Sequence, residues 1–524
     1  MPSLKHKMSV EHHKKAEKDG LIPLHQSTMT GGQDSYITIP ASPSISTNIL
    51  GSGNQYYFDL EADEVGRIDD FCLRFKITCS NADVECVPPP YWFTRIVLEA
   101  DKGTGMELCH IYPENMVLWP WLTEDRVSRE KSSWLQNYHY TDMKKENAEK
   151  YWVSERTKFK TGETRDIYIP LPALFMHLNA IDLKHVRGDF RIRLEFSSDV
   201  VISGDKSNLS VDNLEAVIRT FSEESYDYQS RMKSQRSHDH KYVYLDHERL
   251  IYNDKTLNAS ATTRLAMDQF IGRCPFIVVV IKPNNNPVAS DKSLFNYTEI
   301  GTNGTFDITN SSSQSLLGNG TALKQDHIYE IFSNQTGNPH LQGVYLIPFC
   351  DNVKKSITGH INGFFQFVGI KDYLEITFDS APTQEVHTIS IGATATSGTY
   401  RYAFENGIVS DQDCDWNDSS SDIDTIIEAI PQLQERNITV SVNNGINNTT
   451  SQTITYNADA GQVSQELGKI TILGNGTPKV NSTSVSTQGK KGWTSGSNYQ
   501  VEIHMYKYKC LKVDKHGRLT CKDM

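Results

Sequence analysis

The sequence predicts an all-β protein in which two similar sandwich domains follow one another and the second carries a small α+β insertion. Three observations support this prediction: short segments that alternate apolar and polar residues, a pair of strand signals that occurs twice, and a change of pattern after about residue 395. Short strands separated by turn-forming residues are typical of β-sandwiches and barrels.

The repeated pair of strand signals first occurs at residues 167–196. Its first segment, 167–172, is rich in β-branched and aromatic residues and contains two prolines, so we expect a strand that ends at the rim of a sheet. After the turn signal at Gly188 and Asp189, residues 190–196 alternate strictly between apolar and charged side chains. This pattern predicts a strand with one face in water.

The same arrangement returns at residues 344–349 and 374–378. Pro170 and Pro348 take equivalent positions in the two copies and lie 178 residues apart. Solenoid repeats are only about 20–50 residues long, so this spacing indicates a duplicated domain. A sandwich of eight strands fits in that length.

The first 50 residues have no sustained periodicity and begin with several lysines and histidines. We interpret them as an N-terminal arm, either a mobile tail or a segment that docks beneath a neighbour or on an acidic or lipid surface. The predicted division is: arm 1–50, first sandwich 51–222, polar linker 223–240, second sandwich 241–395 and 498–524, and inserted surface unit 396–497.

The second sandwich contains a continuous apolar run at residues 276–281, which predicts a strand covered on both faces. Within the insertion, residues 400–404 alternate as in a strand, and isoleucines at 423–430 recur at spacings of three and four, as in a short amphipathic helix. Near the chain end, Val501, Ile503 and Met505 alternate with Glu502 and His504. That last strand is expected to return the chain to the second sandwich.

Composition excludes several function classes. The net charge of −12 disfavours a nucleic-acid-packaging protein, whose binding surface would concentrate Lys and Arg. The nine cysteines form no CxxC pair, so free thiols in a reducing compartment are expected rather than disulfides or zinc. The N-terminus lacks the apolar core of a signal peptide and no stretch has the length of a membrane span, which predicts a protein kept in the cytosol or released by lysis.

The sequence contains no Walker loop, dinucleotide fingerprint, nucleophile elbow or HExxH helix, so we predict neither an enzyme nor a cofactor. Four aspartates, Asp411, Asp413, Asp415 and Asp422, are spaced like a candidate calcium loop. However, Trp416 stands where such loops have Gly, and Asp422 replaces the bidentate Glu, so an acidic surface loop is the alternative.

A second possible metal cluster consists of histidines and acids near the linker. A solvated polar linker is the preferred interpretation of these residues: His238, Asp239, His240, His247 and Glu248.

Several segments, taken in order, resemble the double jelly-roll major capsid proteins of the tectivirus, adenovirus and giant-virus lineage. Residues 65–75 resemble the opening of the first jelly roll, and residues 166–171 with 190–196 resemble its F and G strands. Residues 359–378 resemble the same place in the second roll, and residues 508–519 resemble the usual chain end. The insertion departs from this pattern and is similar to small modules that phages place on exposed surfaces.

The resemblance implies two tandem eight-stranded jelly rolls and a trimer with a pseudo-hexagonal outline that tiles an icosahedral shell. The implied partners are further copies, neighbouring capsomers, penton and other minor capsid proteins, and an internal membrane contacted by the arm. A bacteriophage with an inner membrane is the expected source, with the protein in the virion after assembly in the host cytoplasm.

Two alternatives remain open at this point. One is a minor capsid, vertex or spike protein of the same lineage. The other is a carbohydrate-binding β-sandwich protein, for which four aromatic residues could form a sugar platform; core packing is their other interpretation. These residues are Trp416, Trp493, Tyr400 and Tyr402.

Overall fold

Strands are the main elements of the structure, which is a computed structural model of the chain. It describes residues 33–43, 50, 53–61, 68–100, 105–124, 158–171, 183–198, 200–222, 237–283, 297–317, 320–341, 343–369, 371–392, 394–434, 438–457, 463–474, 480–488, 493 and 495–524. The predicted linker falls largely outside these ranges, and so does most of the predicted arm.

The first half of the chain contains eleven described strands and one α-helix. These are β1 (Gln33–Pro40), β2 (Gln55–Leu60), β3 (Ile68–Cys79), β4 (Val84–Cys86), β5 (Phe93–Ala100), β6 (Met106–Ile111), α1 (Pro113–Thr123), β7 (Lys158–Phe159), β8 (Thr164–Pro170), β9 (Phe190–Phe196), β10 (Val201–Ser203) and β11 (Leu209–Ser222). Short 3-10 turns occupy Pro89–Trp92, Leu183–His185 and Lys206–Asn208.

The second half begins with β12 and is interrupted between β20 and β28 by the inserted unit. Its first elements are β12 (His240–Leu257), β13 (Thr262–Ala266), β14 (Ile271–Cys274), β15 (Phe276–Pro283), β16 (Thr305–Thr309), β17 (Leu323–Lys324), α2 (Gln325–Thr336), β18 (Val344–Pro348), α3 (Val353–Ile357), β19 (Phe365–Val368) and β20 (Tyr373–Thr377). The inserted elements are β21 (Val386–Ile391), β22 (Thr399–Phe404), β23 (Cys414–Asp415), α4 (Ser420–Glu428), α5 (Pro431–Gln434), β24 (Val440–Val442), a 3-10 turn (Ile446–Asn448), β25 (Ser451–Tyr456), α6 (Val463–Glu466), β26 (Ile470–Gly474) and β27 (Val480–Thr487). The chain then closes with β28 (Gly496–Val513) and β29 (Leu519–Asp523).

The two halves have the same strand order. We letter the main strands B to I in chain order: β1, β2, β3, β5, β6, β8, β9 and β11 in the first half, and β12, β13, β15, β16, β17, β18, β20 and β28 in the second. In both halves one sheet has the order B-I-D-G and the other has the order C-H-E-F, and the pairings along both sheets are antiparallel. Two such sheets packed together form a jelly roll. The predicted fold class, an all-β double jelly roll with an insertion in the second roll, is therefore confirmed.

Both G strands lie at the edge of their BIDG sheet and end in the predicted prolines, Pro170 and Pro348. Proline lacks the N–H that a central strand needs to bond both neighbours, so these positions suit the rim of a sheet. Residues 190–196 also form the predicted strand, with their apolar side chains buried.

Three positional predictions for the first roll were wrong. Residues 33–40, assigned to the arm, form strand B and pair with β11 over their whole length. Residues 68–75 belong to strand D rather than to the opening of the roll, and the strands expected to be F and G are G and H. All three errors have one cause: the first strand, Gln33–Pro40, was not recognised, because it follows a polar segment.

The inserted unit forms two small sheets, ordered β24-β25-β21-β27 and β23-β22-β26, with α4 packed against β24. Its own apolar core includes Ile389, Ile423 and Tyr456. The predicted start at residue 396 is wrong by about one strand, because β21 (Val386–Ile391) pairs on both sides with inserted strands. The predicted end is also too late, because Trp493 packs in the core of the second roll.

The apolar cores of the two rolls differ in extent. The core cluster of the first roll continues across the boundary onto the BIDG sheet of the second roll, whereas the second roll has a further core of its own. Strand β15 lies between them: Phe276, Val278 and Val280 belong to the first cluster, and Ile277 and Val279 to the second. The prediction that residues 276–281 are covered on both faces is confirmed.

Candidate functional site

The surface where the two rolls meet contains buried ion pairs, hydrogen bonds and stacked aromatic rings. We call it the seam: β6 and α1 of the first roll packed on the outer face of the BIDG sheet of the second. Helix α1 carries apolar side chains all round its circumference, and residues 113–122 are all buried. A helix that is apolar on every side must be covered on every side, which explains its position between the rolls.

Aromatic side chains fill the centre of the seam. Tyr506 stacks on Phe276 with ring centroids 4.6 Å apart, and the ring centroid of Trp119 on α1 lies 6.3 Å from that of Tyr506. The Tyr506 hydroxyl donates a hydrogen bond to Oδ1 of Asn115 at 3.0 Å, so the buried polar atoms of this pair satisfy each other. Ring contacts of this kind add stabilisation beyond the area that they bury.

The first ionic group of the seam is centred on Lys282. Its Nζ lies 2.6 Å from Oε1 of Glu114 on α1 and 2.6 Å from Oε1 of Glu502 on β28. Arg249 adds a second cation, 3.5 Å from Glu114 and 3.7 Å from Glu502. Burial alone would lower the pKa of Lys282, but the two carboxylates outweigh it and raise that pKa. The lysine therefore stays charged and joins the two rolls.

The second ionic group is centred on Asp246 of β12, whose side chain is fully buried. Its Oδ1 accepts hydrogen bonds from the backbone N–H of His110 and of His247, and its Oδ2 lies 2.6 Å from Nζ of Lys509. Burial favours the neutral acid, but His110 and Lys509 outweigh it and hold the pKa of Asp246 well below its usual range. The aspartate is therefore an anion in the seam.

His110 lies between two carboxylates. Its Nδ1 is 3.2 Å from Asp246 and its Nε2 is 2.8 Å from Glu107, so both ring nitrogens face acceptors. Burial would lower the pKa of His110, yet these two carboxylates raise it. Because an imidazolium can donate from both nitrogens, this environment favours the protonated ring.

Two further contacts connect the rolls near the ends of the seam. Asn338 donates from Nδ2 to the carbonyls of Trp121 and Glu124, at 2.7 and 2.9 Å. At the other end, the backbone N–H of Arg187 donates to the carbonyl of Gly517 at 2.8 Å. Gly517 has a φ of +80°, and a Cβ there would lie 2.1 Å from the carbonyl oxygen of His185. Only glycine fits this turn.

The BIDG sheet of the first roll is arranged differently, because its outer face is open. Arg74 lies 3.3 Å from Asp166 and 3.5 Å from Glu215, and its side chain is 36% exposed. Nearby, Thr78 and Thr164 pair through their hydroxyls. These side chains stand where Phe276 and its neighbours stand in the second roll, and within one chain the described residues leave them half-exposed.

The four aspartates of the candidate calcium loop are exposed, and the three other than Asp411 have separate contacts. Asp413 forms an ion pair with Arg401, and Asp422 caps α4 in a capping box with Ser419. Asp415 lies in β23 and pairs with Thr399 of β22. No group of three or more His, Cys, Asp or Glu side chains with metal-ligand geometry occurs in the described ranges. The geometry therefore gives the calcium hypothesis no support.

The second suggested metal cluster is also dispersed. His238 contacts Ser237, and Asp239 pairs with Lys512 at 2.9 Å. The interpretation of His247 and Glu248 as part of a solvated linker was wrong, because both lie in strand β12 and His247 is buried.

Three of the four aromatic residues of the suggested sugar platform pack in cores. Tyr400 and Tyr402 are buried in the core of the inserted unit and Trp493 in that of the second roll, whereas Trp416 is 37% exposed. All nine cysteines are free thiols, as expected.

Sequence reasoning missed the seam. The alternation in β28 did not reveal that Glu502 and His504 are buried, because the first roll covers that face. One available signal was Lys282, a charged residue that directly continues the fully apolar run 276–281. A lysine at the end of a doubly covered strand requires a buried partner.

No helix of the described residues combines the length and the apolar character that a membrane span requires.

The solved structures that are similar to this chain in fold include two that match over nearly its whole length with TM-scores of 0.50 or more. The first is VP54 of PBCV-1, fitted into a cryo-EM reconstruction of the virophage Sputnik: the identity is 12%, the TM-score is 0.52, and the match covers 94% of this chain and 98% of that one. The second is a quasi-atomic structure of the PBCV-1 virus capsid, with 11% identity, a TM-score of 0.50, and the same coverages of 94% and 98%. At such low identity the likeness concerns the fold.

Comparison of sequences finds no relative: no family model matches the chain, and no curated protein matches it.

Proposed function

We propose that this chain is a structural protein of a virus shell, the major capsid protein that forms trimeric, pseudo-hexameric capsomers of an icosahedral virus. One observation carries the proposal: side chains on the outer face of the BIDG sheet of the second roll are buried against the first roll, whereas the described residues leave the equivalent face of the first roll partly exposed. A surface covered in one copy of a repeated fold and open in the other is suited to receive a further chain.

A closed ring would cover the open sheet. If the second roll of a neighbouring chain packs on the first roll as the first packs on the second, the contact is head-to-tail, and three chains close a ring of six rolls. Helix α2 follows strand F in the second roll as α1 does in the first. One side of α2, with Asp326, His327 and Glu330, is exposed within the chain and would enter this contact.

The seam supports this role because a subunit of a regular shell must hold its two rolls in a fixed arrangement. Its buried ion pairs join α1 to β15 and β28 with 2.6 Å contacts, and a shared apolar core surrounds them. Breaking a buried pair by removing one partner is costly, so the angle between the rolls is held firmly.

The similarity in fold to a PBCV-1 capsid structure over 94% of this chain also supports the proposal. On this proposal the protein resides in the virion of a bacteriophage with an inner membrane, after assembly in the host cytoplasm. Its partners would be its own copies, neighbouring capsomers, penton and other minor capsid proteins, and a membrane reached by residues 1–32. The net charge of −12 argues against specific nucleic-acid binding, and the role requires no catalysis.

Light scattering of the purified chain tests the proposal. We expect a mass three times the 59.2 kDa of one chain, and negative-stain images with a hexagonal outline. A stable monomer at micromolar concentration would contradict a capsomer.

A minor capsid, vertex or spike protein of the same lineage is the main alternative. The same fold and the same open sheet would serve it, so copy number per particle distinguishes the two. A carbohydrate-binding role is favoured by one residue only, the exposed Trp416, beside the exposed Asn417. A glycan array probed with the full chain and with Trp416→Ala would test it: binding that the substitution abolishes would favour the alternative.

A further inference from the structure

Two buried histidines contact each other in the middle of the seam. Nε2 of His247 on β12 lies 3.0 Å from Nδ1 of His504 on β28, and the two rings stack with centroids 5.1 Å apart. A hydrogen bond between two ring nitrogens needs one donor and one acceptor. The pair can therefore hold one extra proton at most, since a second would place two cations 3.0 Å apart.

The remaining nitrogens of the pair offer little help to an additional proton. Nδ1 of His247 has no hydrogen-bond partner among the residues that the structure describes, so protonating it would create a buried donor without an acceptor. Nε2 of His504 lies 3.4 Å from Oε2 of Glu502, which can stabilise the first proton. Both histidines lie on neighbouring strands of the second roll, so opening the seam exposes their rings to water rather than separating their strands. The closed pair thus accepts one proton, whereas two hydrated rings can turn apart and accept one each.

Charged and titratable groups surround the pair on every element that packs against it. They are Asp246, Glu248 and Arg249 on β12, Glu502, Tyr506, Lys507 and Lys509 on β28, Lys282 on β15, Glu107 and His110 on β6, Tyr112, and Glu114 on α1. The anions among them are already engaged: Lys282 and Arg249 face Glu114 and Glu502, while Lys509 and His110 face Asp246. No uncommitted carboxylate among the described residues of the seam is left to neutralise a second proton.

We propose that His247 and His504 form an acid-sensitive latch: as the pH falls below about 6.5, β6 and α1 separate from the second roll while both rolls stay folded. The sign follows from proton counts. Below the ordinary titration range of histidine the opened seam binds one proton more than the closed seam, so acid favours opening. Consistently, burial and the nearby His504 and Arg249 lower the pKa of His247.

The other titratable groups of the seam do not favour opening as the pH falls from 6.5 to about 5. The pKa of His110 is raised, because its two carboxylates outweigh burial, so its stabilising contribution is fully present below pH 6.5 and stays constant there. Asp246 and Glu502 have lowered pKa values, against the effect of burial, so their contributions are lost only at more acidic pH. Burial raises the pKa of Glu248, so its protonation favours the closed seam and opposes opening.

Hydrogen exchange of the full chain, read by mass spectrometry at pH 7.5, 6.5 and 5.5 and corrected for the intrinsic exchange rate, tests the latch. We expect the opening equilibrium of residues 106–123 to rise about fivefold between pH 6.5 and 5.5, because a histidine with the ordinary pKa of about 6.5 is half protonated at pH 6.5 and takes up the rest of the extra proton over this range. His247→Gln keeps an N–H that can donate to His504, but its side chain cannot take up a proton. In this variant the opening equilibrium of residues 106–123 should therefore change less than twofold between pH 6.5 and 5.5.

His387→Gln is the matched control, because His387 is the third buried histidine of the described residues and lies in the inserted unit. This variant should leave the pH dependence of the opening equilibrium of residues 106–123 unchanged. If His247→Gln does not fold, His504→Asn replaces it, and the wild-type profile alone remains decisive. The proposal fails if the wild-type slope is flat, if the folded variant has the wild-type slope, or if residues 276–281 lose protection together with α1.

Discussion

The two BIDG sheets have the same strand order but opposite surroundings. In the second roll the outer face carries Phe276, Val278 and Tyr506, and these side chains are buried in the apolar cluster shared with the first roll. In the first roll the equivalent face carries Arg74, Asp166 and paired threonines, and the part of the chain that the structure describes leaves it partly exposed. One sheet carries side chains that are buried within the chain, and the other carries side chains that tolerate water.

The largest expected effect comes from removing the cation of the covered sheet. Lys282→Met leaves Glu114 and Glu502 buried without Lys282 between them and should lower the free energy of unfolding by about 3–5 kcal/mol, measured by urea denaturation. Arg74→Met is the matched control on the open sheet, where water can solvate the remaining carboxylates, and should cost about 1 kcal/mol or less. Equal losses would show that the two faces are equally buried.

A smaller effect is expected when one polar group is introduced on each face. Val278→Thr places a hydroxyl in an apolar part of the seam and should lower the free energy of unfolding by about 1–3 kcal/mol. Val217→Thr, on the half-exposed face of β11, should change stability by about 0.5 kcal/mol or less. Thermal or urea unfolding of both variants gives the comparison, and a neutral Val278→Thr would contradict burial of that face.

The turn that connects the chain end to the first roll provides a third test. Gly517→Ala should cost about 2 kcal/mol in a urea titration, because its Cβ would collide with the His185 carbonyl in addition to the strain of positive φ. Gly162→Ala has a similar φ of +77° with nothing within 4 Å of the new Cβ, and should cost about 1 kcal/mol. A loss at Gly517 no larger than at Gly162 would mean that the contact with the first roll is adjustable.

The smallest effect on the stability of one chain should come from reversing a charge on the open sheet. Arg74→Glu is expected to change the free energy of unfolding by about 1 kcal/mol or less, since the site is exposed. If this face receives a second chain, however, the same substitution should shift light-scattering mass from trimer toward monomer. Glu330→Lys on α2 tests the facing surface, and unchanged mass in both variants would argue against the ring.

Local patterns predicted much of the architecture. The alternation at residues 190–196, the edge prolines Pro170 and Pro348, and the apolar run 276–281 all matched the structure, because each depends on periodicity or on the missing N–H of proline. Both B strands escaped recognition. Gln33–Pro40 looks like part of a polar arm, and His240–Leu257 carries charged side chains that resemble a linker.

The sequence by itself determined that the protein is all-β, that its sandwich domain is duplicated, and that a small α+β unit interrupts the second copy. These features follow from the spacing of apolar residues and turns. Only the tertiary structure decided that Glu114, Lys282, Glu502 and the two histidines meet in one seam. Residues so distant in the chain are brought together by the packing of one roll on another, and alternation within a strand cannot reveal whether its polar face meets water or a second domain.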